Sequence, residues 1–115
     1  MKTLRPASAA RAAVAAHPDR PATAVVHDDA DARLVVFRLA PGQAVPPHRS
    51  ASTVMLTVIE GSGLLSGESD GAPVERPCVT GDVVTYAPNE LHGMRADGDD
   101  ELLLLATITP RPGGR

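Results

Sequence analysis

Eight short runs rich in Val, Leu, Ile and Thr, at residues 24–27, 33–39, 53–60, 64–67, 74–79, 83–86, 91–95 and 102–109, alternate with clusters of Gly, Pro and Asp. Runs of four to eight such residues between turn-forming clusters read as β-strands. The punctuation is explicit: Asp28-Asp29-Ala30-Asp31, Pro41-Gly42, Pro46-Pro47 and Gly61-Ser62-Gly63 each interrupt the chain. No helical periodicity intervenes between them, so the expected fold class is all-β, a sandwich or barrel. With 115 residues, the chain has length for one domain and one core. Three parts are expected: an Ala-rich segment 1–21, helical or disordered, a barrel over 22–109, and a flexible tail over 110–115. Within the first part, Ser8 is positioned to cap a helix over 9–16 ahead of Pro18, packing through Leu4 and Val14.

Two of the runs carry a further constraint. Val54-Met55-Leu56-Thr57-Val58-Ile59 and Leu102-Leu103-Leu104-Leu105-Ala106 are almost continuously apolar, whereas a strand with one wet face alternates. Both faces of these strands therefore need a cover. One face belongs to the interior; a second copy of the chain, as a homodimer, is the simplest cover for the other, with the amino-terminal helix as the competing one.

Composition removes several function classes. A net charge of −3 is the wrong sign for a nucleic-acid partner, and Phe37 and Tyr86 are the only aromatic residues, with no Trp, so base-stacking platforms are absent. The single cysteine, Cys78, rules out an internal disulfide. The amino terminus lacks the apolar core of a signal peptide, and no run approaches the ~20 apolar residues of a membrane span. A cytoplasmic protein with no membrane partner is expected.

Two segments hold the chemistry. The first is Gly42-Gln43-Ala44-Val45-Pro46-Pro47-His48-Arg49-Ser50, continuing to Val54 and Gly61; the second is Gly81-Asp82-Val83-Val84-Thr85-Tyr86-Ala87-Pro88-Asn89-Glu90-Leu91-His92. Together they resemble the two motifs of the cupin family, over about residues 41–96. The resemblance implies a jelly-roll β-barrel, the double-stranded β-helix, with a metal held by three His and one Glu in its lumen. At the matching positions this chain has His48, Ser50, Val54 and His92. Two ligands remain, and the carboxylate is gone. Ala87 and Pro88 also shift the second motif's proline by one, and Asn89 stands where Gly is frequent, a substitution that left-handed backbone angles tolerate.

The expected site is accordingly a two-histidine pocket, His48 and His92, with Ser50, Val54, Leu56, Val58 and Met94 around it. Two imidazoles without a carboxylate give little charge compensation for a dication, so the cofactor expectation is none, or one weakly held divalent metal (Zn, Fe or Mn) on His48 and His92. Cys78 is expected to face away from the lumen, Glu90 to lie within reach of the rim, and His17 and His27 to be surface residues. Three functions stay open: a non-enzymatic protein that binds a small molecule, a metal-dependent cupin enzyme of dioxygenase or isomerase type, and a structural dimer with a decayed site.

Overall fold

The apolar run at 53–60 buries every second residue: Val54, Leu56 and Val58 are buried, while Met55, Thr57 and Ile59 are half-exposed. This period of two is the signature of a strand lying between a packed interior and a second, outer face. A computed structural model describes residues 1–112. It contains helix α1 (Pro6–Ala12) and strands β1 (Ala22–Asp28), β2 (Arg33–Leu39), β3 (Ala44–His48), β4 (Thr53–Glu60), β5 (Ser62–Ser69), β6 (Ala72–Val79), β7 (Val83–Tyr86), β8 (His92–Arg95) and β9 (Leu102–Thr109). They form two antiparallel sheets in a jelly-roll sandwich, one ordered β1-β2-β9-β4-β7 and the other β3-β8-β5-β6.

All eight expected strands are present. The ninth, β3, carries Pro46 and Pro47, which the sequence reading takes as a break. It is an edge strand paired only with β8, and its register shifts between Val45 and His48. Proline has no N–H to give a ladder, and an edge strand has a row of such groups without a partner, so the two residues cost β3 little. Outward-facing Pro73 and Pro77 lie on the opposite edge, β6.

The main core lies between the sheets and joins Leu39, Val54, Leu56, Val58, Leu65, Leu102 and Leu104 with Cys78, Tyr86 and Met94. Inward positions of β4 and β9 face each other in register, Val54 with Ile108, Leu56 with Ala106 and Val58 with Leu104. A second cluster lies on the outer face of the five-stranded sheet, where Ala10 of α1 packs on Val36 and Leu103. The helix thus covers part of the face that the apolar runs left in need of a partner.

Details of that helix correct the sequence expectation. It starts at Pro6, whose fixed φ suits a first helical turn, and Ser8 lies inside it rather than capping it. Its contact is made by Ala10, with Ala13 buried beyond its end, while Val14 is exposed and Leu4 only half-buried. Small side chains let the helix sit close to the sheet. Arg38 reaches from β2 to donate to the carbonyls of Ala10, Arg11 and Ala13, which places a cation at the helix's negative end.

Candidate small-molecule pocket

His48 ends β3 and His92 opens β8, and the β3–β8 ladder makes them direct register partners. Residues opposite each other in an antiparallel pair project to the same face. The imidazoles accordingly meet, with ring centroids 4.2 Å apart and planes tilted by 59°. Strand pairing thus unites the two half-motifs, which are 44 positions apart in the chain (92 − 48). Gly93 permits the approach: a Cβ on it would lie 2.9 Å from Val45 O and 3.0 Å from Pro47 Cα.

The surroundings of His92 explain its protonation. It is only 5% exposed, and burial holds its pKa below the usual imidazole value, with the neighbouring His48 adding to the depression and Glu90 opposing it. Tyr86 stands 5.3 Å from His92, ring to ring, and donates from its hydroxyl to Ser66 O at 2.8 Å, bolting β7 to the opposite sheet. Burial pushes its phenol up to about 12, so the hydroxyl keeps its proton.

The loops that adjoin the two histidines are tied together at the rim. Arg49 donates to both Glu68 carboxylate oxygens, at 2.8 and 3.1 Å, and to Asn89 O at 2.7 Å. Glu68 also accepts from Leu91 N–H at 3.0 Å, and these contacts hold its carboxyl below the usual range. Asn89, at φ 67°, turns its N–H to Ser50 O at 2.6 Å. Each histidine therefore has a sequence neighbour, Arg49 or Leu91, fastened to one carboxylate on β5. Glu68 lies outside both motifs, and nothing in the sequence pattern marks it.

A cavity of about 680 Å³ opens beside the rings, within the range of small-molecule sites. Six of the residues named from sequence line it: His48, Ser50, Val54, Leu56, His92 and Met94. Val58 is a correction: one pleat beyond Leu56, it is enclosed in the core and does not reach the cavity. The rest of the wall includes Phe37, Val45, Ala106, Ile108 and Pro110. The first residues of the tail are a second correction, because Pro110, Arg111 and Pro112 wall the cavity and Ser52 Oγ donates to Pro110 O at 2.7 Å. The rest of the tail expected to be flexible, 113–115, lies outside the described residues. A neighbouring depression of about 760 Å³ beneath Val14 and Arg20 shares Phe37 and Val45 but has no imidazole.

Other candidates fall elsewhere. Cys78 is turned into the core, 2% exposed, rather than away from the interior, and burial pushes its thiol up; it lies outside the cavity wall. The Glu90 carboxylate accepts from Ala87 N–H and faces a separate groove beside Tyr86. His17 is exposed and His27 pairs with Asp29 at 2.8 Å.

A bound metal would need more than this wall provides. Among the described residues no three His, Cys, Asp or Glu side chains cluster to hold an ion. The position of the expected carboxylate is Val54, buried and apolar. Two imidazoles beside a neutral hydroxyl do not fit the four-ligand shell that the family pattern implies. Nor is any helix among the described residues long and apolar enough to cross a membrane.

Solved structures share this architecture. An uncharacterized conserved protein with a double-stranded β-helix domain from Klebsiella pneumoniae superposes with a TM-score of 0.78 at 22% identity, covering 89% of this chain and 87% of that one. An RmlC-like cupin protein from Desulfovibrio desulfuricans gives 0.72 at 29% identity, over 86% and 91% of the two chains. A predicted oxalate decarboxylase from Thermotoga maritima gives 0.69 at 24% identity, over 78% and 80%. No curated protein matches the sequence. The cupin-domain family model matches residues 35–108, from β2 to the penultimate residue of β9, and spans both histidines. By that match this chain belongs to the cupin-domain family.

Proposed function

We propose that this cupin binds a small molecule in its lumen without catalysing its conversion. The observation that carries the reading is the 680 Å³ cavity, whose wall is largely apolar and whose polar end consists of His48, His92 and Ser50, with Val54 where the family pattern has a carboxylate. Apolar walls with a few convergent polar groups favour binding, and orientation of the ligand, over chemistry. Arg49 and Arg111 also border the cavity; Arg49 is paired with Glu68, and Arg111 shares Asp28 with Arg33. Among the described residues no carboxylate lines the cavity beside the rings.

One observation favours the metal-dependent alternative. Both rings turn Nδ1 toward a backbone carbonyl, the orientation used by metal-binding histidines. Measuring metals in the purified protein by mass spectrometry, beside a His48→Ala/His92→Ala variant, decides between the readings. Substoichiometric metal, equal in both proteins, is the expected result. Near-stoichiometric Zn, Fe or Mn that disappears in the variant overturns the metal-free reading.

The protein is further proposed to act as a homodimer in the cytoplasm. Support for the dimer comes from the outer face of the five-stranded sheet, where Met55 and exposed Val83 extend beyond the patch that α1 packs against. A monomeric mass in light scattering at micromolar concentration refutes it.

A further inference from the structure

Both imidazoles are locked in the same tautomer. His48 Nδ1 lies 3.0 Å from Pro46 O, and His92 Nδ1 lies 3.1 Å from Glu90 O. A carbonyl oxygen has no proton to give, so the nitrogen is the donor in each pair. In its neutral form each ring then bears its proton on Nδ1, and Nε2 is a bare acceptor.

Among the described residues neither Nε2 has a hydrogen-bond partner, and the only buried side-chain nitrogen or oxygen without one is Arg111 Nε. His92 Nε2 is therefore not sealed into the protein. As His92 is almost wholly buried and lines the cavity, the cavity is where its free edge opens. His48, exposed and 4.2 Å away ring to ring, borders the same space.

Several donors near the rings are already engaged. Ser52 Oγ–H is spent on Pro110 O. Arg49 is held by Glu68 and Asn89 O, whereas Arg111, farther along the wall, lies 2.9 Å from Asp28, a carboxylate it shares with Arg33. Ser50 Oγ accepts from Ser52 N–H, leaving its single proton free. Beside the rings the cavity thus offers two imidazole acceptors against one hydroxyl donor.

We propose that the cavity selects an uncharged molecule with an apolar body and a hydroxyl donor, an alcohol, phenol or enol, whose O–H is received by Nε2 of His48 or His92. This rests on the small-molecule reading above and deepens it. At the imidazole edge a carboxylate is disfavoured because it brings acceptors to acceptors, and a pure hydrocarbon because it buries the imidazole nitrogens without a hydrogen bond.

Three matched probes test the idea by titration calorimetry at neutral pH on protein freed of metal by chelation: para-butylphenol, para-butyltoluene and para-butylbenzoate. The first two differ only by hydroxyl against methyl. The phenol is expected to bind about tenfold more tightly than the toluene, with the benzoate weakest, and His48→Ala to narrow the tenfold gap. Equal binding of phenol and toluene, or preference for the benzoate, overturns the donor rule while leaving the pocket reading intact. Binding of none of the three overturns both. The wild-type comparison stands even if the variant fails to fold.

Discussion

The two ends of the sandwich are made from the same strands and differ in what those strands place at equivalent inward positions. At one end β2, β4, β9 and the residue just past β8 contribute Leu39, Val58, Leu102, Leu104 and Ala96, and β6 adds Cys78; all are buried in one continuous cluster. At the other end β2, β4, β8 and β9 contribute Phe37, Val54, Met94, His92, Ala106 and Ile108 around a cavity. Along β9 the inward series runs Leu102, Leu104, Ala106, Ile108, so the step to Ala106 withdraws three carbons where the cavity begins. Leucines enclose one end, and alanine, proline and imidazole leave the other open. Cohesion is concentrated away from the ligand space, which lets the site forgo tight packing without unfolding the domain.

That division is broken most directly by shortening a leucine at the closed end. Leu102 is fully buried, and Leu102→Ala is expected to cost about 2–5 kcal/mol, measured by urea denaturation. Ile108→Ala, at a half-buried position beside the cavity, is expected to cost only about 1 kcal/mol. Equal losses at the two positions would mean that the ends do not differ in cohesion.

Gly93→Ala tests the link between packing and site. The new methyl would press on Val45 O and Pro47 Cα, backbone atoms of β3 that cannot swing aside. A loss of roughly 1–3 kcal/mol is expected. The displacement of β3 also carries His48 away from His92, so ligand-induced stabilisation in a thermal melt should vanish. A variant that keeps its full ligand response would show that β3 is not what holds the pair together.

Adding volume gives the opposite comparison. Ala106→Leu projects into open cavity and is expected to change stability by less than about 1 kcal/mol while abolishing ligand binding; Ala96→Leu, inside the closed end, is expected to cost about 1–3 kcal/mol or more. Thermal melts with and without para-butylphenol read both effects.

The strands themselves were legible because solvent and core impose a period of two that survives in β4 as Val54, Leu56 and Val58. β3 was hidden because its prolines signal a break, and only its position at a sheet edge makes them tolerable. The face of Cys78 was hidden for a related reason: Val74, Arg76 and Cys78 share one side of β6, and the exposed Arg76 disguises it as the wet side. Helix α1 was misplaced because alanine repeats through 9–16 and carries no phase, so neither its start at Pro6 nor its contact through Ala10 could be singled out. His48 and His92 were legible as the site's residues from their motif positions. Their tautomers, the Glu68 tie and the tail's place in the wall depend on backbone carbonyls and on residues remote in sequence, and a spacing pattern records neither.

The smallest expected effect concerns pH and separates the open end's histidine from the rest of the fold. The pKa of His92 in the folded protein is below its ordinary value of 6.5, chiefly through burial, so the unfolded chain takes up the proton first. Unfolding therefore binds protons in that range, and stability falls as pH is lowered from the unfolded value toward the folded one. Glu68 and Asp29 shift downward as carboxylates, so their contributions are present above the ordinary carboxyl range and are lost only at more acid pH. Between about pH 7.5 and about pH 5.5, the difference between wild type and His92→Gln isolates the imidazole, because the other three histidines are common to both proteins. Wild-type Tm should drop more than the variant's over that interval, by a few degrees at most, since His92 lies beside an open cavity that water can enter. Parallel Tm profiles would mean that its ring is as well solvated as a surface histidine, and the contrast between a dry closed end and a partly buried imidazole at the open one would lose its electrostatic half.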